Sequence, residues 1–90
     1  MTYEISWKRG ASRDMDALPL GIASAVVEFV YGPLADNPHR VGKPLRFELE
    51  GKHSAQRGNY RVIYEIVELQ VVVQIITVHH RADAYRSGSD

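Results

Sequence analysis

The sequence contains no cysteine among its 90 residues. This absence excludes disulfides, a thiol nucleophile and every cysteine-based metal site, and it is typical of a protein in a reducing compartment. No stretch approaches the roughly 18 consecutive apolar residues that a membrane span needs. Residues 1–4 also lack the basic start and apolar run of a secretion signal. We therefore expect a cytoplasmic protein with a single domain that packing alone holds together.

The sequence also has no excess of charge of either sign, since 11 Lys and Arg residues balance 11 Asp and Glu residues. The charges are distributed unevenly, however. Residues 14–36 carry four acidic and no basic side chains, whereas residues 37–63 carry six Lys and Arg against two Glu. Because an electrostatic field depends on where charges lie, a neutral chain can still present a local anion site. The alternative is that mixed charges only keep the surface soluble.

The first half of the chain predicts one strand and two helices. Residues 3–7 alternate apolar and polar side chains, which is typical of a half-buried strand. Residues 8–18 place apolar side chains three and four positions apart, and residues 20–31 are apolar around most of a helix. Such a pattern predicts a helical hairpin packed against a sheet. Gly32 and Pro33 are expected to end it, because glycine accepts a left-handed backbone and proline cannot continue a helix.

The second half predicts a loop over residues 36–44 and then an antiparallel meander. Alternating or β-branched side chains mark its three strands, at residues 45–56, 60–67 and 71–78. Gly51 is expected to kink the first of these, and Gly58 with Asn59 suits a hairpin turn. The chain is expected to leave the sheet from His79 onward. The predicted order is β-α-α-β-β-β, an α+β fold with the N-terminal strand and helical hairpin on one face of an antiparallel sheet.

Five residues are candidates for chemistry. Arg61 opens the strand after the hairpin turn, Arg81 follows the last strand, and Tyr85 lies four residues further on. With Lys52 and Arg57 on the neighbouring strand, they can converge on the uncovered face of the sheet. Guanidinium groups match phosphate oxygens, and a tyrosine can stack on a base or handle a proton, so the set suits a phosphodiester. The alternative is that these are solvated surface residues.

The histidines do not predict a metal site. His79 and His80 are adjacent, and neighbours on a strand point to opposite faces. His39 and His53 supply no recognisable ligand spacing. We expect neither a metal nor a cofactor. His80 is better suited to act as an acid or base, because histidine changes charge near neutral pH; the alternative is a partly buried residue at the strand end.

Two motifs carry a family resemblance. The first is Arg-Gly-Asn-Tyr-Arg-Val-Ile-Tyr-Glu-Ile at residues 57–66, and the second is His-Arg-x-Asp-x-Tyr within residues 78–86. Shorter matches lie at residues 11–19, 42–45 and 49–51. Over nearly its whole length, the chain resembles the RelE/ParE toxin superfamily of prokaryotic toxin–antitoxin systems.

The resemblance implies a single RelE-like toxin domain over residues 1–86, with a frayed tail over residues 87–90. RelE-type members are ribosome-dependent, metal-independent mRNA endonucleases that a cognate antitoxin silences. Arg61 matches the strand arginine that holds the scissile phosphate. Arg81 matches the arginine that stabilises the transition state or serves as acid, and Tyr85 matches the tyrosine that stacks on or orients the nucleotide.

Lys52 matches one of two lysines in the family pattern, the second of which falls at Ser54. A further basic position falls at Gln56. These departures leave the general base open, together with the strength of contact to ribosomal RNA. Further RNA contacts are expected from four residues: Lys43, Arg46, Arg57 and His80.

Two other functions are left open by the same resemblance. One is a ParE-like toxin that shares the fold but inhibits DNA gyrase and cuts no RNA. The neutral charge and the missing cations favour it, whereas Arg61, Arg81 and Tyr85 argue against it. The other is a weakened toxin that acts as a corepressor with its antitoxin on operator DNA. All three imply a RelB-like antitoxin whose amphipathic helix lies across the toxin.

Overall fold

The computed structural model describes residues 2–80 and builds them into one five-stranded sheet with helices on one face. The strands are β1 (Glu4–Trp7), β2 (Lys43–Pro44), β3 (Lys52–Arg57), β4 (Tyr60–Val67) and β5 (Val72–His80), and the α-helices are α1 (Arg9–Asp16), α2 (Leu20–Phe29) and α3 (Pro38–Val41). None of the helices in this part of the chain is long and apolar enough to cross a membrane. Arg81, Tyr85 and the predicted tail lie outside the described residues.

The sheet has the strand order β1-β5-β4-β3-β2. The strands β3, β4 and β5 form the predicted antiparallel meander, and β1 joins the far side of β5 in parallel. The apolar strand β5 therefore lies between β1 and β4, as its composition indicates. This arrangement confirms the predicted α+β fold.

The core lies between the helices and one face of the sheet. Its fully buried strand residues are Ala55, Val62, Tyr64, Val73, Ile75 and Val78. The helical layer contributes Ala11 of α1, Val26 of α2, and Val30 and Leu34 from the turn that follows α2. Burying a side chain of this size is worth about 1.5–3 kcal/mol. Packing of this face therefore fixes the phase of β3, β4 and β5.

The helical segment that begins at Leu20 does not end at Gly32, contrary to the prediction. After α2 it continues as a π-helical turn over Val30–Leu34, with Pro33 inside it. The wider turn accommodates a proline ring that would clash within a regular α-helix. It also keeps the buried side chains of its first and last residues on the core.

Residues 45–50 do not form the predicted strand. They belong to the connection between β2 and β3, with a 3₁₀ turn at Phe47–Leu49. Phe47 has a φ of 59° and its side chain is 89% exposed. The N–H of Leu45 donates to the carbonyl of Lys52 on β3, and the chain then enters the 3₁₀ turn instead of continuing the ladder. The predicted loop over residues 36–44 likewise contains α3 and β2.

Strand β5 continues to His80, so the prediction that the chain leaves the sheet at His79 was wrong. The strand pairs with β4 to its end, where His79 lies opposite Arg61. The N–H of Val78 donates to the carboxylate of Asp14 on α1 at 2.9 Å. Pairing on one side and this contact on the other hold the end of the strand in the sheet.

Candidate functional site

Strand alternation divides the side chains of the sheet between two faces. Residues that face the helices are buried, among them Ala55 of β3, Val62 of β4 and Val78 of β5. Because successive side chains on a strand point to opposite sides, their neighbours point away from the helices. We call this second side the open face. Arg61 and His79 lie on it.

Arg61 lies at the junction of two clefts on the open face. The Arg61 cleft has a volume of about 370 Å³, and its polar lining consists of Lys52, Ser54, Arg61, Thr77 and His79. The Lys43 cleft has a volume of about 510 Å³, and its polar lining consists of Lys43, Ser54, Gln56 and Arg61. Because both clefts share Arg61 and Ser54, one extended ligand can occupy both.

The two clefts carry positive charge without an acidic counterpart. Lys43, Lys52 and Arg61 line them, and none of the lining residues within the described range is a carboxylate. The ion pair found among residues 2–80 joins His39 to Glu68, which line neither cleft. A phosphate group that approaches the guanidinium within these clefts therefore meets no carboxylate among their described lining residues.

Several predicted site residues come together on this face. Arg61 and Lys52 line the same cleft, and Lys43 lines the adjoining one. Arg46 is exposed at the start of the turn between β2 and β3 and lines neither cleft. The described part of the chain thus assembles three of the predicted cations around two connected clefts.

Arg57 lies elsewhere. It lines a separate cleft between the β3–β4 hairpin and α2, where Ile22 and Tyr60 are among its neighbours. The reason is the phase of β3, since Ala55, two positions earlier, is buried beneath the helices. The structure does not bring Arg57 to the face that carries Arg61.

His79, rather than His80, shares the open face with Arg61. His80 packs edge-to-face against Tyr60 on the opposite side, with 5.1 Å between ring centroids. The sequence analysis named His80 as a candidate and did not name His79. The signal that could have found it is Val78: a buried side chain there places the next residue on the opposite face, once β5 is continued beyond it.

The buried side chain of Tyr64 contacts the backbone segment that leads to Lys43. The hydroxyl of Tyr64 donates to the carbonyl of Pro38 at 2.5 Å, and burial raises the pKa of Tyr64 to about 12. Gly42 packs on the same hydroxyl so closely that a Cβ there would lie 2.2 Å from it. Lys43 follows directly in β2, where it pairs with Ser54. The core thus sets the position of the Lys43 cleft.

His53 packs against the same tyrosine. Its ring stacks on Tyr64 with centroids 5.5 Å apart, and its Nδ1 atom is buried without a hydrogen-bond partner among the described residues. Burial lowers the pKa of His53, and the nearby His39 lowers it further. Burial therefore favours the neutral ring, which belongs to the packing rather than to the open face.

Comparison with known proteins gives consistent matches. The family model described as the ParE toxin of the type II toxin–antitoxin system parDE matches residues 5–85. Toxin RelE of Mycobacterium tuberculosis is 52% identical over 84 residues, which cover 93% of this chain and 87% of that protein. Toxin RelG of the same organism is 50% identical over 86 residues, covering 96% and 99%.

Solved structures match over most of the chain as well. The toxin in the RelBE2 toxin–antitoxin complex from M. tuberculosis has a TM-score of 0.88 at 48% identity, covering 92% of this chain and 95% of that one. The toxin in the intact Escherichia coli RelBE complex has a TM-score of 0.74 at 18% identity, covering 87% and 95%. At that lower identity the E. coli match supports the fold alone.

Proposed function

The chain belongs to the RelE/ParE family of type II toxin–antitoxin toxins, and from this premise we propose that it is an endoribonuclease that cleaves messenger RNA on the ribosome. The reaction would need no metal and would take place in the cytoplasm. One observation carries the proposal: Arg61 lies at the junction of two clefts that three cations line and no described carboxylate enters.

The cleft suits a scissile phosphate. Arg61 can donate two parallel hydrogen bonds to the phosphoryl oxygens, and Lys52 adds positive charge within the same cleft. Charge grows on these oxygens in the transition state, so donors fixed on strands stabilise it more than the ground state. One such donor is typically worth about 3–4 kcal/mol. Lys43 would extend the same positive surface along the RNA backbone.

The reaction transfers the phosphoryl group from the 5′-oxygen to the ribose 2′-oxygen within one RNA chain. The ribose 2′-hydroxyl attacks the adjacent phosphorus, a base removes its proton, and an acid protonates the departing 5′-oxygen. By the family pattern, Arg81 would supply transition-state charge or the proton, and Tyr85 would orient the nucleotide. The ribosome would position the message, which compensates for the few cations of this neutral chain.

We further propose a RelB-like antitoxin as partner. The M. tuberculosis and E. coli relatives are toxins of toxin–antitoxin complexes. In this chain, α2 and the turn after it leave three large apolar side chains exposed to solvent: Leu20, Val27 and Tyr31. Exposed apolar side chains grouped on one element favour a protein partner. The assembled pair would bind operator DNA.

Primer extension on ribosomes programmed with a defined message tests the cleavage directly. The purified toxin should create new 5′ ends within codons, and prior addition of the antitoxin should prevent them. A message that stays intact at every toxin concentration would refute the proposal.

A ParE-like inhibitor of DNA gyrase is the second candidate. It is favoured by the family model, whose description names ParE, and by Ser54 and Gln56, which line the clefts without charge. A gyrase supercoiling assay run beside the primer extension separates the two functions. Loss of supercoiling with an intact message would favour gyrase inhibition.

A further inference from the structure

We propose that His79 is the general base of the cleavage reaction, an inference that rests on the endoribonuclease function proposed above. Sequence reasoning left this role open because the second lysine of the family pattern is replaced by Ser54. The structure places an imidazole beside the phosphate-binding arginine instead.

His79 is the cross-strand partner of Arg61. The two residues lie directly opposite each other in the β4–β5 ladder, and both line the Arg61 cleft. Residues paired in this way have Cβ atoms about 4.5–5.5 Å apart. A phosphate held by the guanidinium would therefore lie within reach of the imidazole, as would the ribose attached to it.

Lys52 is the other proton-transferring side chain among the described lining residues. It pairs with Glu65, which lies four residues along β4 from Arg61. At about 3.3 Å per residue, that is roughly 13 Å of strand. The remaining described lining side chains of the Arg61 cleft are hydroxyl-bearing or aliphatic apart from Arg61 itself, and a charged guanidinium has no atom that can accept a proton. Position therefore favours His79 over Lys52 as the group next to the reacting ribose.

His79 would act in the first step of the cleavage. The ribose 2′-oxygen forms a bond to phosphorus while the imidazole of His79 takes its proton. The bond between phosphorus and the 5′-oxygen breaks, and that oxygen takes a proton from water. The imidazolium then returns its proton to solvent. The products are a 2′,3′-cyclic phosphate and a 5′-hydroxyl end.

The charged groups around His79 come from three elements. Arg61 of β4 and Lys52 of β3 line the same cleft, and α1 contributes Asp14, whose carboxylate accepts the N–H of Val78. His80 lies on the other side of the strand against Tyr60. The two adjacent histidines therefore form a matched pair, one in the cleft and one outside it.

The test is the pH dependence of single-turnover cleavage on programmed ribosomes. His79→Gln, which retains a polar side chain, should slow cleavage by about 10²–10⁴-fold and should lose the acidic limb of the pH–rate profile. His80→Gln should keep that limb. Added imidazole should restore part of the activity of His79→Ala, which a purely structural role would not allow.

The possible results distinguish the role of His79 as general base from the nuclease function itself. If His79→Gln and His79→Ala cleave at the wild-type rate with the wild-type pH profile, while Arg61→Ala does not cleave, the role of His79 is overturned and the nuclease function stands. If His80→Gln loses the acidic limb instead, the assignment is also overturned. If the wild-type toxin leaves the message intact, both proposals fall.

Discussion

Gly42 and Tyr64 are in such close contact that the backbone of one lies against the hydroxyl of the other. A Cβ at position 42 would lie 2.2 Å from the Tyr64 hydroxyl oxygen and 2.9 Å from the carbonyl oxygen of Ser54. The same hydroxyl donates to the carbonyl of Pro38. This contact fixes the backbone next to Lys43, and it couples one wall of the Lys43 cleft to the core.

Gly42→Ala should therefore destabilise the protein. Overpacking of this kind typically costs about 1–3 kcal/mol, which chemical denaturation can measure. Gly21→Ala is the matched control, because a Cβ at position 21 meets nothing within 4 Å and Gly21 is an exposed residue of α2. The control should be neutral or more stable by up to about 1 kcal/mol. Equal stability of the two variants would show that the contact is not restrictive.

Removing the Asp14 carboxylate should loosen the end of β5. Asp14→Ala leaves the partly buried N–H of Val78 without its acceptor, at a cost of about 1–3 kcal/mol. Hydrogen exchange of the Val78 amide should become faster. Asp14→Asn retains an acceptor oxygen and is the control, so it should lose less stability. If the alanine variant leaves amide exchange unchanged, the carboxylate does not hold the strand.

The stability of the fold should decrease in mild acid because of His53. Its pKa in the folded state is lowered from the usual 6.5 by burial and by His39. The folded state thus binds fewer protons than the unfolded state between the lowered value and 6.5. The free energy of unfolding should fall as the pH decreases through that window, and this contribution should be fully present above it.

His53→Phe tests that linkage. Phenylalanine can keep the stacked packing on Tyr64 but cannot take up a proton, and it removes the unpartnered Nδ1 atom. The free energy of unfolding, measured across the acidic range, should fall less steeply for the variant than for the wild type. Parallel curves would contradict the assignment to His53.

The sequence predicts well the elements whose pattern has a single structural solution. Residues 60–67 are rich in β-branched and aromatic side chains, and the strand there places Arg61 on the open face. Gly58 and Asn59 form the turn between β3 and β4 as expected. The α-helical hairpin follows from its apolar spacing. In these cases local pattern and tertiary packing favour the same conformation.

Contacts between distant parts of the chain determine the elements that the sequence did not predict. The alternation at residues 45–50 favours a strand, but ladder pairing ends at Pro44. A β-bulge interrupts the β4–β5 ladder beside Ile63 and shifts the pairing, which no local pattern indicates. The contact between Asp14 and Val78 spans 64 positions and helps to keep His79 in the sheet. The site could thus be predicted around Arg61 but not around the histidines.

The single-turnover cleavage rate of Arg61→Ala on programmed ribosomes tests the central claim most directly. Arg13→Ala is the matched control, since Arg13 is exposed on α1 and lines neither cleft. If Arg61 holds the scissile phosphate, its loss should slow cleavage by about 10²–10³-fold. The control should cleave like the wild type, and both variants should still bind the antitoxin. Wild-type cleavage by Arg61→Ala would contradict a phosphate-binding role for this cleft.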